Sequence, residues 1–324
     1  MKIKQKNTMD MTHGTLWNKL LIFALPLAAS SILQQLFNSV DTAVVGRFAS
    51  SRALAAVGSN SSLIALMINL FIGISLGSNV IISRYIGQKT EEHVKAAIHT
   101  AIVVALCSGI FVLVLGQFIA RPVLTLMGTP KDVLDLAVLY LRIYFLGMPF
   151  IMLYDFSSSI LRSIGDSRRP LYALIAAGII NTGLNLILVI VFHLGVSGVA
   201  IATVVSNIVS SGILFYILLH EQEPIRVSLS GLSIDWGELK KILIIGSNAI
   251  AGSAAALNFE FFAYFMVNAF AQTTVTFTSQ NYGAGDFQRC KKVYRLCMIF
   301  SVIFCGLLSA IFVLGRDFFL RLSP

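Results

Sequence analysis

The chain has 324 residues, of which 56% are apolar and only 12% are Asp, Glu, Lys or Arg, about half the charged share of an ordinary soluble domain. With a mean hydropathy of +0.83 and long apolar runs throughout, this excludes a water-soluble globule and a disordered chain, and describes a polytopic membrane protein. The net charge of +9 comes from Lys and Arg clustered between apolar runs, which fits membrane topology and not a nucleic-acid-binding face.

The basic start, MKIKQKNTMDMTHGTLWNK, leads into an apolar run too long for a signal peptide and without an A-x-A cleavage site, so the run reads as a membrane span. Six spans are predicted at Leu20–Gly46, Ala53–Ser83, Val94–Ile119, Val133–Leu161, Leu171–His193 and Val196–Leu219. A polar stretch, His220–Lys241, follows, then an apolar stretch Ile242–Thr278 and a last span Val293–Leu314. The predicted organisation is a six-helix bundle over 1–219, a cytoplasmic connection over 220–241 and a partial second bundle over 242–324. Cys107, Cys290, Cys297 and Cys305 lie in or beside apolar runs with no CxxC, and read as small apolar residues.

Charge sets the orientation. The N-terminal tail and the second, fourth and sixth loops carry 13 Lys and Arg against 4 in the other loops, which places the N-terminus in the cytoplasm. Arg289, Lys291, Lys292 and Arg295 also read as cytoplasmic, so Ile242–Thr278 has to cross an even number of times. A short or re-entrant piece over Ile242–Ile250 and one full span over Ala254–Thr278 satisfy this, with Tyr282 on the same side as Tyr85. The competing arrangement is one unbroken helix from 240 to 280.

Self-comparison shows an internal repeat. MINLF at 67–71 recurs as MVNAF at 266–270, SRYIG at 83–87 as SQNYG at 279–283, and IFVL at 110–113 returns at 311–314. NKLLIFALP at 18–26 matches KKILIIGSN at 240–248 at an offset of 222, against 199 for the MINLF pair, so the second copy is 23 residues short. That is roughly 35 Å of helix, about one transmembrane segment. Repeats of this kind are typical of secondary transporters with substrate between two related bundles.

Several polar residues stand out inside apolar runs. Gln34, Asn38 and Asp41 are spaced to share one face of the first span, and a carboxylate at that depth belongs against protein or water. A solvated Asp41 near the outer interface is the bland alternative. Asn181 and Asn185 share a face of the fifth span and Thr203 follows in the sixth, where helix-to-helix hydrogen bonding is an equal explanation. Together with Asp41 such groups can take up H⁺ or hold Na⁺ through oxygen, with Asp41, Asn181 and Asn185 as the Na⁺ candidates. Glu260, Tyr264, Asn268 and Gln272 form a second stripe, and Asp155 is a further acid beyond a Gly147–Pro149 kink; both are candidates for substrate contact, Glu260 toward cations. Gly73 and Gly77 read as close helix packing, and His99 and His193 as interface residues. No GxxxxGK[ST], HExxH or GxSxG occurs, so ATP-driven transport in this chain and common membrane hydrolases lose support.

Asp41 in VDTAVVG, LRSIGDSRRP after the fourth span, NTGLN in the fifth, GVAIAT before the sixth and SQNYGAGDFQR in the second copy make the chain resemble the multidrug and toxic compound extrusion (MATE) family. The resemblance implies an all-α membrane fold of two six-helix bundles, no enzymatic activity and no cofactor beyond an H⁺ or Na⁺ gradient. It further implies export of organic cations or amphipathic drugs across the cell membrane. The family's ion-responsive cluster maps onto Asp41, Asn181, Asn185 and Thr203, with Asn185 replacing the family's second acid. Against twelve helices in a complete member, the first helix of the second bundle and the last three are expected to be missing. Competing functions are a flippase for a lipid-linked precursor and a non-transporting remnant; the scarcity of mid-span Lys and Arg favours cationic or neutral substrates over anionic headgroups.

Overall fold

A computed structural model describes residues 9–256 and 261–314. The helices are α1 (Leu16–Phe48), α2 (Ser51–Gln88), α3 (Glu91–Leu126), α4 (Lys131–Leu146), α5 (Met148–Ser163), α6 (Arg168–Leu186, running into a π turn Ile187–Val191), α7 (Gly195–Leu219), α8 (Trp236–Ala256), α9 (Phe261–Gly283) and α10 (Phe287–Leu314). Among the described residues α1, α2, α3, α6 with its π turn, and α7 are long and apolar enough to cross a membrane. Counted as one broken span, the bent pair α4 and α5 is a sixth by length and composition. The fold is thus that of a multi-pass membrane protein.

Local chemistry sets the helix ends. The Ser50 hydroxyl accepts the Ala53 N–H at the start of α2. The expected fourth span is broken by 48° between α4 and α5, because Pro149 has no N–H to continue the helix and its ring crowds the preceding turn. The turns before α6 and α10 share one design: a glycine at positive φ (Gly165, Gly285) precedes an aspartate (Asp166, Asp286) whose Oδ1 caps the next helix.

Where one short piece over 242–250 was expected, α8 is 21 residues long. It starts inside the stretch read as polar connection, because Asp235 and Glu238 sit at N-cap and N3 spacing and Asp235 Oδ1 accepts the Glu238 N–H at 2.9 Å. The 23-residue shortfall therefore removes no single helix. Among the described residues α8 (21 residues) and α9 (23) are both shorter than α1 (33) and α2 (38), and both are present. The loss is divided between two helices, so the direction of everything downstream is preserved.

Two sets of contacts show that direction. At the start of α8, Lys241 Nζ donates to Tyr85 Oη (2.7 Å), and Tyr85 Oη donates to the buried Glu238 carboxylate (2.9 Å). At the end of α9, the Arg84 guanidinium lies 5.5 Å from the Tyr282 ring centroid. Both helices thus meet the C-terminal end of α2, α8 leaving it and α9 returning, so the chain reverses direction between them. With Lys89→Cys and Asp286→Cys made separately in a background lacking the native cysteines, membrane-impermeant maleimide is expected to label both from the same face. Labelling from opposite faces contradicts this topology.

The repeat is visible as a reciprocal contact. A Cβ on Gly87 falls 2.1 Å from the Gln280 carbonyl oxygen, and one on Gly283 falls 2.3 Å from the Arg84 carbonyl oxygen. Gly87 pairs with Gly283, and Arg84 with Gln280, at one offset of 196. Each helix offers the same residue to the same place on the other, as a two-fold contact requires. Gly77 and Gly246 likewise bring α2 against α8, backbone to backbone. Leu20, Phe23 and Leu27 of α1 pack on Phe270 and Phe277 of α9 and Phe300 of α10, whereas Val44 and Val45 belong to the core of the first bundle. One helix thus serves both cores: α1 joins the bundles at its start and belongs to the first bundle alone near its end.

Candidate functional site

Near the far end of α1, Asp41 is buried, with 7% of its surface exposed. Asn185 Nδ2 donates to its Oδ1, and Thr203 Oγ1 donates to its Oδ2 at 3.4 Å. Asn185 Nδ2 also reaches Asn181 Oδ1 at 3.2 Å. Both amides are buried because their four-residue spacing turns them to the same face of α6. The solvated alternative for Asp41 does not fit this burial. Gln34 and Asn38, on the same helix, are exposed and do not join the cluster.

The chemistry of this cluster is lopsided. Among the described residues no cation pairs with Asp41; both of its hydrogen-bond donors are neutral. Asn185 Oδ1 is buried with no partner, an acceptor that is costly to leave unmet. A carboxylate, a free amide oxygen, the Asn181 oxygen and a hydroxyl, with no fixed positive charge, make a site that can receive a proton or a small hard cation. Having an amide at position 185 has a direct consequence: it can donate to a charged Asp41, which a carboxylate there cannot. Asn185→Ala is expected to strip Asp41 Oδ1 of its donor and cost about 1–3 kcal/mol, with Thr203→Val milder because its bond is long. Thermal unfolding in detergent compares the two, and the reverse ranking contradicts this geometry.

Sequence reasoning missed the aromatic wall of this site. Tyr140 and Tyr144 of α4 are buried, their rings 6.2 Å apart, within electrostatic range of Asp41. Their four-residue spacing was the available signal.

The second set of expected residues is only partly assembled. Glu260 lies outside the described residues, and Tyr264 is described only as helical backbone of α9. Asn268 is half-buried. Gln272 crosses between bundles, its Oε1 accepting from Arg162 Nη1 of α5 at 3.1 Å. Nearby, Thr276 Oγ1 donates to Asn79 Oδ1 (2.8 Å) and Gln280 Nε2 to the Ser163 carbonyl (2.6 Å). Asp155 is half-buried on α5, with Oδ2 buried and unpartnered. Arg162, counted in the sequence as a loop charge, is in α5; its distance of seven residues from Asp155 puts both on one helical face. His99 is a structural residue, its Nε2 accepting the Ser228 N–H (3.2 Å) and so tying the connection to α3.

Comparison with known proteins places this geometry. The MatE family model matches residues 26–187 and 241–323. "Probable multidrug resistance protein YoeA" of Bacillus subtilis is 29% identical over 333 residues, which covers 93% of this chain and 72% of that protein. "Probable multidrug resistance protein YpnP" of the same organism is 28% identical over 238 residues, 73% of this chain and 53% of that protein. A protein named "FAD transporter" from Shewanella oneidensis is 26% identical over 303 residues, 84% and 66% of the two chains. In three dimensions the fold matches an outward-facing MATE family transporter with a TM-score of 0.86 and 21% identity, over 97% of this chain and 76% of that one.

Proposed function

This chain belongs to the MatE family, whose members are transporters and not enzymes, and on that footing we propose that it exports amphipathic, often cationic compounds across the cell membrane by H⁺ or Na⁺ antiport. The supporting observation is Asp41: a buried carboxylate within a membrane-spanning bundle, held by neutral donors, beside a buried amide oxygen that lacks a partner. Uptake and release of a cation there changes the charge of a helix contact between α1, α6 and α7, which is the kind of local event that biases two helix arrangements. Asn181, Asn185 and Thr203 set Asp41 in place and are the further ligands if the ion is Na⁺. The first bundle spans 16–219, with its N-terminus cytoplasmic, and 220–235 links it to α8.

The test is the purified chain in liposomes loaded with a cationic dye. An imposed pH or Na⁺ gradient is expected to drive dye movement, and the gradient that works identifies the ion. No movement under either gradient in sealed vesicles overturns the proposal in favour of a non-transporting protein. The relative named "FAD transporter" supports extending the substrates to compounds that also carry negative charge.

A further inference from the structure

Where α8 leaves the C-terminal end of α2, a cleft of about 680 Å³ opens between α2, the first turn of α3 and α8. One side of it is basic: Arg84, His93 and Lys241 line it, and among the described residues no carboxylate does. Glu238, the acid at this end, is buried and already matched by Lys241 Nζ (2.9 Å) and Tyr85 Oη, with His93 Nδ1 3.4 Å away. Arg84 has no such partner. Among the described residues no ion pair takes its guanidinium, which lies over the Tyr282 ring at 5.5 Å. A ring face accepts no strong hydrogen bond, so the N–H donors of Arg84 are left for a ligand.

The other side of the cleft is apolar. Ile81, Ile244 and Ile245 line it, and along α8 Leu243 and Ile244 are exposed. Exposed aromatic residues stand at the same end of the helices: Trp236 begins α8, and Tyr282 lies near the end of α9 beside Arg84. Such residues settle at the headgroup layer of a bilayer. A cleft that joins basic side chains to an apolar wall at that layer matches a phosphate with a hydrocarbon chain attached.

We propose that this cleft holds an anionic phospholipid, its phosphate between Arg84 and Lys241 and one acyl chain along Ile244 and Ile245. The arginine fork, together with the third N–H of an ammonium already bound to Tyr85 and Glu238, supplies the donors for the phosphate oxygens. A soluble phosphate compound uses the basic side alone and leaves the isoleucines to water. Because α2 belongs to the first bundle and α8 follows the connection, the lipid bridges the helices that Gly77 and Gly246 bring together. Its binding favours the arrangement in which they are joined.

Native mass spectrometry of the purified chain in neutral detergent, without any gradient, counts bound lipid. Phosphatidylglycerol and diacylglycerol of the same chains differ by the phosphate headgroup. The first is expected to fill one site at about a tenfold lower concentration than the second, the value of one charged hydrogen-bonded contact. Arg84→Gln is expected to remove most of that difference, and Arg84→Lys, which keeps the charge but not the fork, to remove less. Arg52→Gln, the same charge change at the opposite end of α2, is expected to leave it intact. Equal binding of the two lipids by the parent protein, which requires no variant to fold, overturns the site. So does a preference undiminished by Arg84→Gln, or lost equally with Arg52→Gln. Excess glycerol 3-phosphate is expected not to displace the lipid, and displacement assigns the cleft to a soluble phosphate compound and overturns the lipid.

Discussion

Asp41→Asn is expected to reduce gradient-driven dye efflux to the rate of protein-free liposomes while leaving a folded protein. The substitution preserves shape but removes the negative charge on which the proposed coupling depends. The fold is expected to survive because the new amide can donate to Asn185 Oδ1, which has no partner in the parent, so a carboxylate contact is exchanged for a neutral one of similar geometry. Among the described residues no second carboxylate joins this cluster, whose other polar members are Asn181, Asn185 and Thr203. Loss of activity is therefore expected to be complete and not partial. Two measurements are needed together, efflux in liposomes and thermal unfolding in detergent. Normal efflux shows that coupling resides elsewhere, and gross unfolding shows that Asp41 is a packing residue.

Gly87→Ala is expected to lower the melting temperature of the protein markedly. The added carbon falls 2.1 Å from a backbone oxygen of α9, far inside contact distance, and a backbone oxygen in a packed helix cannot swing aside as a side-chain tip can. The helices have to separate, and overpacking of this kind costs about 1–3 kcal/mol or more. Gly283→Ala is expected to behave alike, because it makes the same contact from the other side. The two are expected to be less than additive in combination, since separation caused by one relieves the other. Melting temperatures of the single and double variants test this. A parent-like melting temperature for either single variant shows that α2 and α9 are not in backbone contact.

Much of the fold was legible in the sequence because a bilayer imposes a one-dimensional rule. Every spanning stretch has to be apolar for about twenty residues and satisfy its own backbone bonds, so the first six spans and the return of Tyr282 to the end of Tyr85 follow from hydropathy and the placement of Lys and Arg. The repeat also showed that residues were missing. It did not show from where, because an offset counts residues between matches and is silent on how they are shared between two helices. The structure shows two short helices, α8 and α9, where one was expected to be lost, and a helix capped by Asp235 in a stretch that composition had marked as linker.

For the site, the difference lies between spacing along one helix and contact between helices. The four-residue spacing of Asn181 and Asn185 was enough to align them, and the family resemblance brought Asp41 and Thr203 into the same cluster. Spacing equally aligned Gln34 and Asn38 with Asp41, yet they are exposed, because burial along α1 depends on which partner helix stands beside each turn. By itself the sequence determined the membrane class, the first six spans, the internal repeat and the presence of an acid inside the first span, all of which are consequences of local polarity. Only the tertiary structure decided that Asn185 donates to Asp41, that Gly87 and Gly283 exchange backbone contacts, and that Arg162 faces the opposite bundle with one edge unmet. Such contacts join residues far apart in the chain, and the packing of helices against one another, which no periodicity encodes, selects them.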